Sequence, residues 1–449
     1  VYGLMMVFAV VDLRRRYRLD KSEMDEDAVS ALLSKPVSIL VPAYNEDAGI
    51  VDSVRSLLGL RYPQTEIIIV NDGSKDQTLK LAIEQFRMHP VKRDYNPRLP
   101  TKEIRGVYQS AIHPHLFLVD KENGGKADAL NAGINLSRYP YFCSIDGDSI
   151  LEESSLLRAM KPILRSGNEV IATGGSIRIA NGHKILLGSI FKAGLSDNML
   201  VLTQMLEYVR AFLVGRVGLS KYNLVLIISG AFGVFLKQPV VEVGGYSTKM
   251  IGEDMELVLK LHRWIKTNKL NKRMEYTSEP ICWTEAPQSM RVLRLQRRRW
   301  HQGLIDSLWK HRNMTLNLKY GAIGVFALPY YWIVECLGPV IELGGYIYLI
   351  FAFFTGKIYL EFAILLGVFF VLVGMLYSVS SILLEAWSMS EYPNPKQTAK
   401  LVLISLVEPF WYRPLTLIWR MEGIVQSLLR RKVWGDMQRS GLSGKEGRA

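Results

Sequence analysis

Two long apolar segments, residues 338–356 and 359–384, constrain most strongly what this chain can fold into. Each contains one Glu and no Lys or Arg, and a helix needs about 20 apolar residues to cross the hydrocarbon core of a bilayer. The sequence therefore predicts transmembrane helices near both segments. Segments 320–335 and 399–420 are apolar but are interrupted by proline or charge, which favours interfacial or re-entrant helices. Together these segments define a membrane region over residues 320–420.

The basic clusters of the chain lie beside its apolar segments. The net charge is +13, from 55 Lys and Arg against 42 Asp and Glu. Basic clusters at 14–18, 291–300 and 430–432 each lie beside an apolar segment, which is the positive-inside pattern of membrane proteins. A nucleic-acid-binding protein would instead gather its basic residues on one face among aromatic residues, so no nucleic-acid partner is expected. Residues 1–12 predict the end of a transmembrane helix, and residues 421–449 a basic cytoplasmic tail.

Residues 36–315 alternate short apolar runs with stretches of helical spacing, which is typical of parallel βαβ units. Strands are predicted at 38–44, 66–74, 115–121 and 141–149, with helices at 48–60, 76–87 and 126–137. Ligands of such sheets bind beyond the carboxyl ends of the strands, where this chain carries Asn45, Glu46, Asp72, Asp146 and Asp148. Residues 90–113, which are rich in proline, predict an irregular loop.

Three polar motifs at these strand ends have both a chemical and a plainer interpretation. Asp146 and Asp148 place two carboxylates one residue apart, a pattern that can hold Mg²⁺ or Mn²⁺ but that alone more often forms a solvated turn. Asp72, in NDGS, can hydrogen-bond a nucleoside or form an ordinary turn. Lys126 opens a helix after two glycines, which suits a diphosphate as well as a simple glycine turn.

Two further motifs precede the apolar third of the chain. Glu253 and Asp254 open a helix predicted over Met255–Ile265, where acidic residues commonly cap the helix and where Asp254 could also serve as a general base. The run Gln296–Trp300 is basic and ends in an aromatic residue, as a juxtamembrane anchor does. No single motif distinguishes these alternatives; their order along the chain does.

The ordered series is VPAYNE (41–46), NDGS (71–74), GGKADALN (124–131), DGD (146–148), SGAFG (229–233), GED (252–254) and QRRRW (296–300). This series resembles the processive, membrane-bound glycosyltransferases of family 2, which include cellulose, chitin, hyaluronan and poly-N-acetylglucosamine synthases. The resemblance implies an α/β GT-A fold with a mostly parallel sheet in a cytoplasmic domain at 36–315. It also implies a UDP-sugar donor, Mg²⁺ or Mn²⁺, and inversion at the anomeric carbon. The GGKADALN, GED and QRRRW segments are more similar to the poly-N-acetylglucosamine branch, which favours UDP-N-acetylglucosamine or a related UDP-hexose.

The resemblance also assigns roles to individual positions of this sequence. It places Asp254 as the general base, and Asp146 and Asp148 at the metal. The donor residues that it implies are Pro42, Tyr44, Glu46, Asp72, Lys126, Asp146, Gln296 and Arg299. The acceptor residues that it implies are Gly230, Glu253 and Trp300.

The expected partners are a UDP-sugar, membrane lipids, and a polysaccharide or lipid-linked acceptor, in a multi-pass protein of the plasma membrane. A non-processive enzyme that adds one sugar to a lipid carrier would share the donor motifs and stays an alternative. A membrane scaffold that binds a nucleotide without turnover is disfavoured by the intact Asp254. The need for an accessory export subunit is left open.

Overall fold

The computed structural model of this 449-residue chain describes residues 3, 5–11, 14, 34–186, 189–192, 194–388 and 395–429. Within the predicted helix end at 1–12, residues 5–11 are helical. The basic cluster at 430–432 and the rest of the predicted cytoplasmic tail lie outside the described residues.

A ten-stranded mixed sheet is built from strands between residues 37 and 284, in the order β3-β4-β5-β2-β1-β6-β11-β8-β12-β7. Its middle is parallel, because β1 pairs in parallel with β2 and β6, and β2 pairs in parallel with β5. A separate two-stranded sheet consists of β9 and β10. The strands are β1 Val37–Ala43, β2 Thr65–Asn71, β3 Met88–Pro90, β4 Ile104–Ser110, β5 Leu116–Lys121, β6 Tyr141–Ile145, β7 Ile150–Leu151, β8 Val170–Ile179, β9 Lys184–Leu186, β10 Ser189–Lys192, β11 Phe232–Leu236 and β12 Arg273–Thr284.

Helices cover this sheet and continue into the apolar third of the chain. They are α1 Ile50–Leu58, α2 Thr78–Gln85, α3 Lys126–Leu136, α4 Ser155–Arg165, α5 Met199–Tyr208, α6 Val217–Ser220, α7 Lys237–Glu242, α8 Glu253–Thr267, α9 Met290–Lys310, α10 Leu328–Tyr330, α11 Gly338–Phe354, α12 Leu360–Ser388 and α13 Pro395–Leu428. Three segments are π-helical, at Val209–Arg216, Ile323–Ala327 and Tyr331–Cys336. The helix predicted over Met255–Ile265 therefore begins two residues earlier, at Glu253.

The four strands predicted from the sequence are present as β1, β2, β5 and β6, which pair in parallel. They could be predicted because each is buried on both faces and is therefore a continuous apolar run. In β1, Ile39, Leu40 and Val41 all have no exposed surface, and a strand that is covered on both faces is apolar almost throughout. The carboxyl ends of these strands meet at one edge, so the polar residues that follow them are brought together.

The prediction of an irregular loop over residues 90–113 is wrong for its second half. Residues Ile104–Ser110 form β4, which pairs antiparallel with β5. Most residues of β4 are only half-buried, so its sequence, IRGVYQS, lacks the continuous apolar run of the central strands. Strands near the edge of an antiparallel sheet need cover on one face only.

Two described helices, Leu360–Ala386 and Pro395–Leu428, are long and apolar enough to cross a membrane. A third candidate is Ile323–Cys336 together with Gly338–Phe354, which are bent by 44° relative to each other. Residues 399–420, for which the sequence predicted an interfacial or re-entrant helix, lie inside α13. This helix continues through Pro409 and Pro414.

Candidate active site

Most of the predicted site residues line one cavity of about 620 Å³ beside the carboxyl ends of the central strands. Its walls come from segments far apart in sequence: α3, the loop after β6, the segment before β11, α8 and α9. The predicted residues that line it are Lys126, Asp146, Asp148, Gly230, Glu253, Asp254, Gln296, Arg299 and Trp300. The fold therefore assembles donor, metal, base and acceptor candidates around a single space.

The residues predicted to hold the nucleoside lie beside this cavity rather than in its walls. Tyr44 follows β1 and is 42% exposed. Gly147, between the two aspartates, lies so close to this strand end that an added Cβ would be 3.3 Å from both Glu46 Cγ and the carbonyl oxygen of Pro42. Pro42 and Glu46 thus adjoin the DGD segment.

Asp72 is buried and is occupied by contacts within the protein. Its carboxylate accepts hydrogen bonds from Lys121 Nζ at 2.6 Å, from the Gly124 amide at 3.0 Å and from the Gly125 amide at 2.7 Å. Gly125 has a φ of +88°, a conformation that favours glycine. Asp72 therefore holds the glycine loop that places Lys126 at the start of α3. This structural role is additional to the nucleoside contact predicted from the sequence.

Lys126 connects three of the predicted motifs. Its ammonium forms an ion pair with Asp146 and donates to the carbonyl oxygen of Gly230 at 3.2 Å. Burial alone would lower the pKa of Lys126, but the carboxylates of Asp146, Glu253 and Asp254 outweigh this and hold the pKa above its usual value. The side chain is a positive charge in the cavity, suited to a diphosphate.

Asp254 lies in the first turn of α8, where the helix dipole favours a carboxylate. Its Oδ2 accepts from the Gly230 amide at 3.2 Å, and its Oδ1 accepts from the Met255 amide at 2.8 Å. Burial raises the pKa of the neighbouring Glu253 to about 7, Lys126 opposes that shift, and Asp254 adds to it. Two adjacent carboxyl groups therefore lie in different environments on one cavity wall.

The QRRRW segment forms part of α9, and its spacing decides which side chains face the cavity. Gln296, Arg299 and Trp300 line it together, as residues three or four apart on a helix share one face. Trp300 is 44% exposed. Arg297 also contributes to the wall, but it is buried and pairs with Glu207 at 2.8 Å.

Sequence reasoning missed one wall of the cavity. Glu207 and Tyr208 at the end of α5, and Phe212 and Arg216 in the π-helical segment that follows, all line it. Within an apolar helical pattern these residues resemble packing positions. The π-helical turns, which occur often at functional sites, have no sequence signature that would have marked them.

The residues present fit a divalent metal for which the protein supplies two carboxylates and a bound diphosphate supplies further oxygen ligands. Among the described residues, no group of three or more His, Cys, Asp or Glu is placed to hold a metal ion. Asp146 and Asp148 nevertheless lie on the same cavity wall, and Mg²⁺ commonly binds one or two carboxylates together with phosphate oxygens and water. This donor set suits a metal that arrives with a diphosphate.

Two family models match overlapping parts of the chain. Residues 38–208 match Glycosyl transferase family 2, and residues 141–388 match Glycosyl transferase family group 2.

Curated relatives include two staphylococcal enzymes named poly-beta-1,6-N-acetyl-D-glucosamine synthase. The protein of Staphylococcus aureus (strain COL) is 30% identical over 308 residues, which are 68% of this chain and 62% of that one. The protein of Staphylococcus epidermidis is 30% identical over 280 residues, which are 61% of this chain and 56% of that one. The match thus spans roughly six-tenths of the length of these relatives.

Among solved structures, the chain is similar to a mannosyltransferase from Pyrobaculum calidifontis in complex with GDP-Man and Mn²⁺. The TM-score is 0.53 with 15% sequence identity, and the match covers 95% of this chain and 100% of that one. At this identity the similarity concerns the fold alone.

Proposed function

This chain belongs to Glycosyl transferase family group 2, and from that membership we propose that it polymerises a UDP-sugar into a β-linked polysaccharide at the membrane. The family and the GT-A fold predicted from the sequence are confirmed. The observation that carries the proposal is the single cavity that gathers Lys126, Asp146, Asp254 and Trp300. In this proposal Lys126 supplies a positive charge for the donor diphosphate and Asp146 a carboxylate for the metal. Asp254 takes the acceptor proton, and Trp300 offers an aromatic surface for a sugar.

The first requirement of an inverting transfer is to remove the proton from the acceptor hydroxyl as it attacks the anomeric carbon. Asp254 is the proposed base, because its carboxylate lines the cavity and is held by the amides of Gly230 and Met255. General-base assistance contributes roughly 10²–10⁴-fold to a rate. The same backbone contacts fix the direction in which the carboxylate faces.

The second requirement is to stabilise the negative charge that grows on the departing UDP. Lys126 and Arg299 line the cavity and supply positive charge there, and fixed charges in a partly dry site act strongly on a developing charge. Asp146 and Asp148 would hold Mg²⁺ or Mn²⁺, which when bound supplies further positive charge at the diphosphate. Pro42, Tyr44, Glu46 and Asp72 are proposed to lie around the nucleoside end of the donor, with Gln296 also on the donor side.

The third requirement is to hold the acceptor with its hydroxyl near Asp254. Trp300 offers an exposed indole surface suited to the apolar face of a sugar ring. Gly230 and Glu253 adjoin Asp254 in the cavity wall and complete the proposed acceptor site. Repeated addition to one bound chain, rather than release after each step, is the processive form of this reaction.

Similarity to two poly-beta-1,6-N-acetyl-D-glucosamine synthases supports UDP-N-acetylglucosamine as the donor. We place the catalytic domain on the cytoplasmic side of the plasma membrane, where nucleotide sugars are made and where the basic cluster at 291–300 prefers to lie. The growing acceptor chain stays bound at the membrane between additions.

The test is product length at early times with acceptor in excess. Full-length protein in detergent receives UDP-N-acetylglucosamine, UDP-glucose or UDP-galactose with Mg²⁺, and products are sized and digested with linkage-specific hydrolases. We expect long chains from UDP-N-acetylglucosamine beside unused acceptor, and none from an Asp254→Asn control. A ladder that grows by one sugar, or one sugar on a lipid, would overturn processive synthesis in favour of the non-processive alternative.

A further inference from the structure

Three polar side chains, of which Arg297 and Tyr412 are buried, connect Trp300 to the C-terminal helix α13. The guanidinium of Arg297 lies over the Trp300 ring, 4.3 Å from the ring centroid. Glu207 pairs with Arg297 at 2.8 Å, and the hydroxyl of Tyr412 on α13 donates to Glu207 at 2.6 Å. Arg297 is 5% exposed and Tyr412 is 2% exposed, whereas the side chain of Glu207, which lines the cavity, is 32% exposed.

Arg297 packs against one face of the Trp300 ring and holds that face in place. The two residues are three apart on α9, the spacing at which helix side chains meet. A guanidinium that lies over an aromatic ring is attracted to it. Tyr208 packs against the ring from α5, with centroids 6.4 Å apart. The exposed part of Trp300 is therefore the part that these neighbours leave open to the cavity.

We infer that Arg297, Glu207 and Tyr412 position Trp300 for the acceptor sugar, so that the Tyr412 contact links α13 to the acceptor site. The inference rests on the proposed function, in which Trp300 holds the acceptor. None of the three side chains is assigned a contact with the reacting atoms; they act through Trp300. Arg297 and Tyr412 both contact Oε2 of Glu207. Loss of the Tyr412 hydroxyl would therefore remove one of two contacts to this oxygen, let Arg297 move and loosen the indole ring.

A second ion pair joins the same parts of the molecule without touching Trp300. Arg210, in the π-helical segment after α5, donates to Glu408 of α13 at 2.7 Å and to Ser378 of α12 at 2.6 Å. Glu408 is 6% exposed, comparable to the buried groups of the first set. Glu408→Gln therefore weakens the attachment of α13 while leaving the Trp300 contacts in place, and it is the matched control.

The first experiment observes Trp300 without requiring turnover. Full-length protein labelled with 5-fluorotryptophan gives one ¹⁹F resonance for each of nine tryptophans, and the resonance of Trp300 is identified by its loss in Trp300→Phe. We expect Tyr412→Phe and Arg297→Lys to shift or broaden that resonance, because lysine does not reproduce a stacked guanidinium. Glu408→Gln and Tyr62→Phe, which removes a buried hydroxyl bonded to the Lys35 carbonyl at 2.6 Å, should leave it unchanged.

The second experiment measures what the ring position does for synthesis. With the active donor, Tyr412→Phe should shorten the product chains about threefold or more and raise the fraction of donor that is hydrolysed rather than polymerised. The donor KM should stay at the wild-type value, since the donor residues are untouched. Glu408→Gln should give chains of wild-type length.

The outcomes separate this inference from the proposed function. Wild-type protein that makes no polymer from any UDP-sugar contradicts the proposed function, while the Trp300 resonance still tests the link to α13. An unchanged resonance in Tyr412→Phe and Arg297→Lys overturns the inference. It is overturned as well if Glu408→Gln moves the resonance equally, or if Tyr412→Phe makes chains of normal length in an active preparation.

Discussion

The backbone of Gly252 lies directly against the backbone of Gly303. A Cβ added to Gly252 would be 2.8 Å from the carbonyl oxygen of Gly303, and a Cβ added to Gly303 would be 2.9 Å from the Cα of Gly252. Ser307, one turn further along α9, donates to the Gly252 carbonyl at 3.2 Å. Since Gly252 precedes Asp254 and Gly303 follows Trp300, this contact sets the spacing between the proposed base and the proposed acceptor surface.

We therefore expect Gly303→Ala to slow sugar transfer by about tenfold while donor binding is retained. A methyl group at this position meets backbone rather than a movable side chain, so α8 and α9 must move apart. Misplacement of reacting groups by about 1 Å can cost about 10²-fold in rate, and a smaller displacement is expected to cost about tenfold. Gly344→Ala is the control, because a Cβ there meets nothing within 4 Å. Rates of UDP release measure the effect; equal rates in both variants would contradict the proposed spacing role.

Asp254→Asn should abolish transfer and preserve donor binding. The amide keeps the shape of the side chain, and its one oxygen can still accept from either Gly230 or Met255, which donate to different oxygens of Asp254. Its NH2 group can neither accept the other hydrogen bond nor take the acceptor proton. We expect turnover to fall by at least about 10²-fold, as measured by UDP release and sugar incorporation, with an unchanged Kd for UDP in titration calorimetry. Retention of more than a small fraction of wild-type turnover would show that another group is the base.

Activity should depend on Mg²⁺ or Mn²⁺ and should weaken in Asp148→Asn. Removal of one carboxylate leaves Asp146, which is also paired with Lys126, so the variant should need a higher metal concentration for half-maximal activity. The exposed Asp94→Asn is the control for a general loss of negative charge. Full activity of wild-type protein in EDTA would exclude the proposed metal role.

Glu253→Gln should stabilise the protein at alkaline pH and not at acidic pH. The pKa of Glu253 rises from 4.5 to about 7 in the folded state, so between these values the unfolded chain loses its proton first and the folded state loses stability as the pH rises. Above about pH 7 the glutamine variant avoids this cost, which is about 1–3 kcal/mol. Melting curves in detergent at pH 5 and pH 8 test this, with the exposed Glu84→Gln as control. A melting temperature below that of the wild type at pH 8 would contradict the burial argument.

The central sheet and much of the cavity follow from the sequence because both depend on regular spacing. Parallel strands end at a common edge, so the residues after β1, β2 and β6 could be placed near one another. The spacing of Gln296, Arg299 and Trp300 likewise puts them on one helix face.

The rest depends on contacts between distant segments, which no local pattern specifies. Lys126 and Gly230 are 104 positions apart, and Glu207 and Tyr412 are 205 positions apart. The contact between Lys121 and Asp72 could not be predicted from the motif NDGS either. An aspartate in a solvated turn and a buried, ion-paired aspartate can have the same local sequence. Strand β4 was not predicted because most of its residues are only half-buried, so its sequence has no continuous apolar run.

The last prediction concerns the side of the membrane on which α13 ends. By length and composition α13 can cross a membrane, but its polar residues contact the catalytic domain along most of its length. Lys400 lies 3.8 Å from Asp197, and Ser427 donates to Asp306 at 3.2 Å. These contacts are 27 residues apart, or about 40 Å of helix, which exceeds the hydrocarbon core of about 30 Å.

A helix held by one domain over that distance lies along the domain, whereas the most apolar 18-residue stretch of α12 is only 6% buried. We therefore expect α11 and α12 to form the crossing pair and α13 to end on the side of the catalytic domain. Cysteine labelling in intact cells tests this, because Cys143, Cys282 and Cys336 are all buried. An impermeant thiol reagent should label Lys357→Cys, in the turn between α11 and α12, and should label Leu429→Cys only after permeabilisation. Labelling of Leu429→Cys in intact cells would mean that α13 also crosses the membrane.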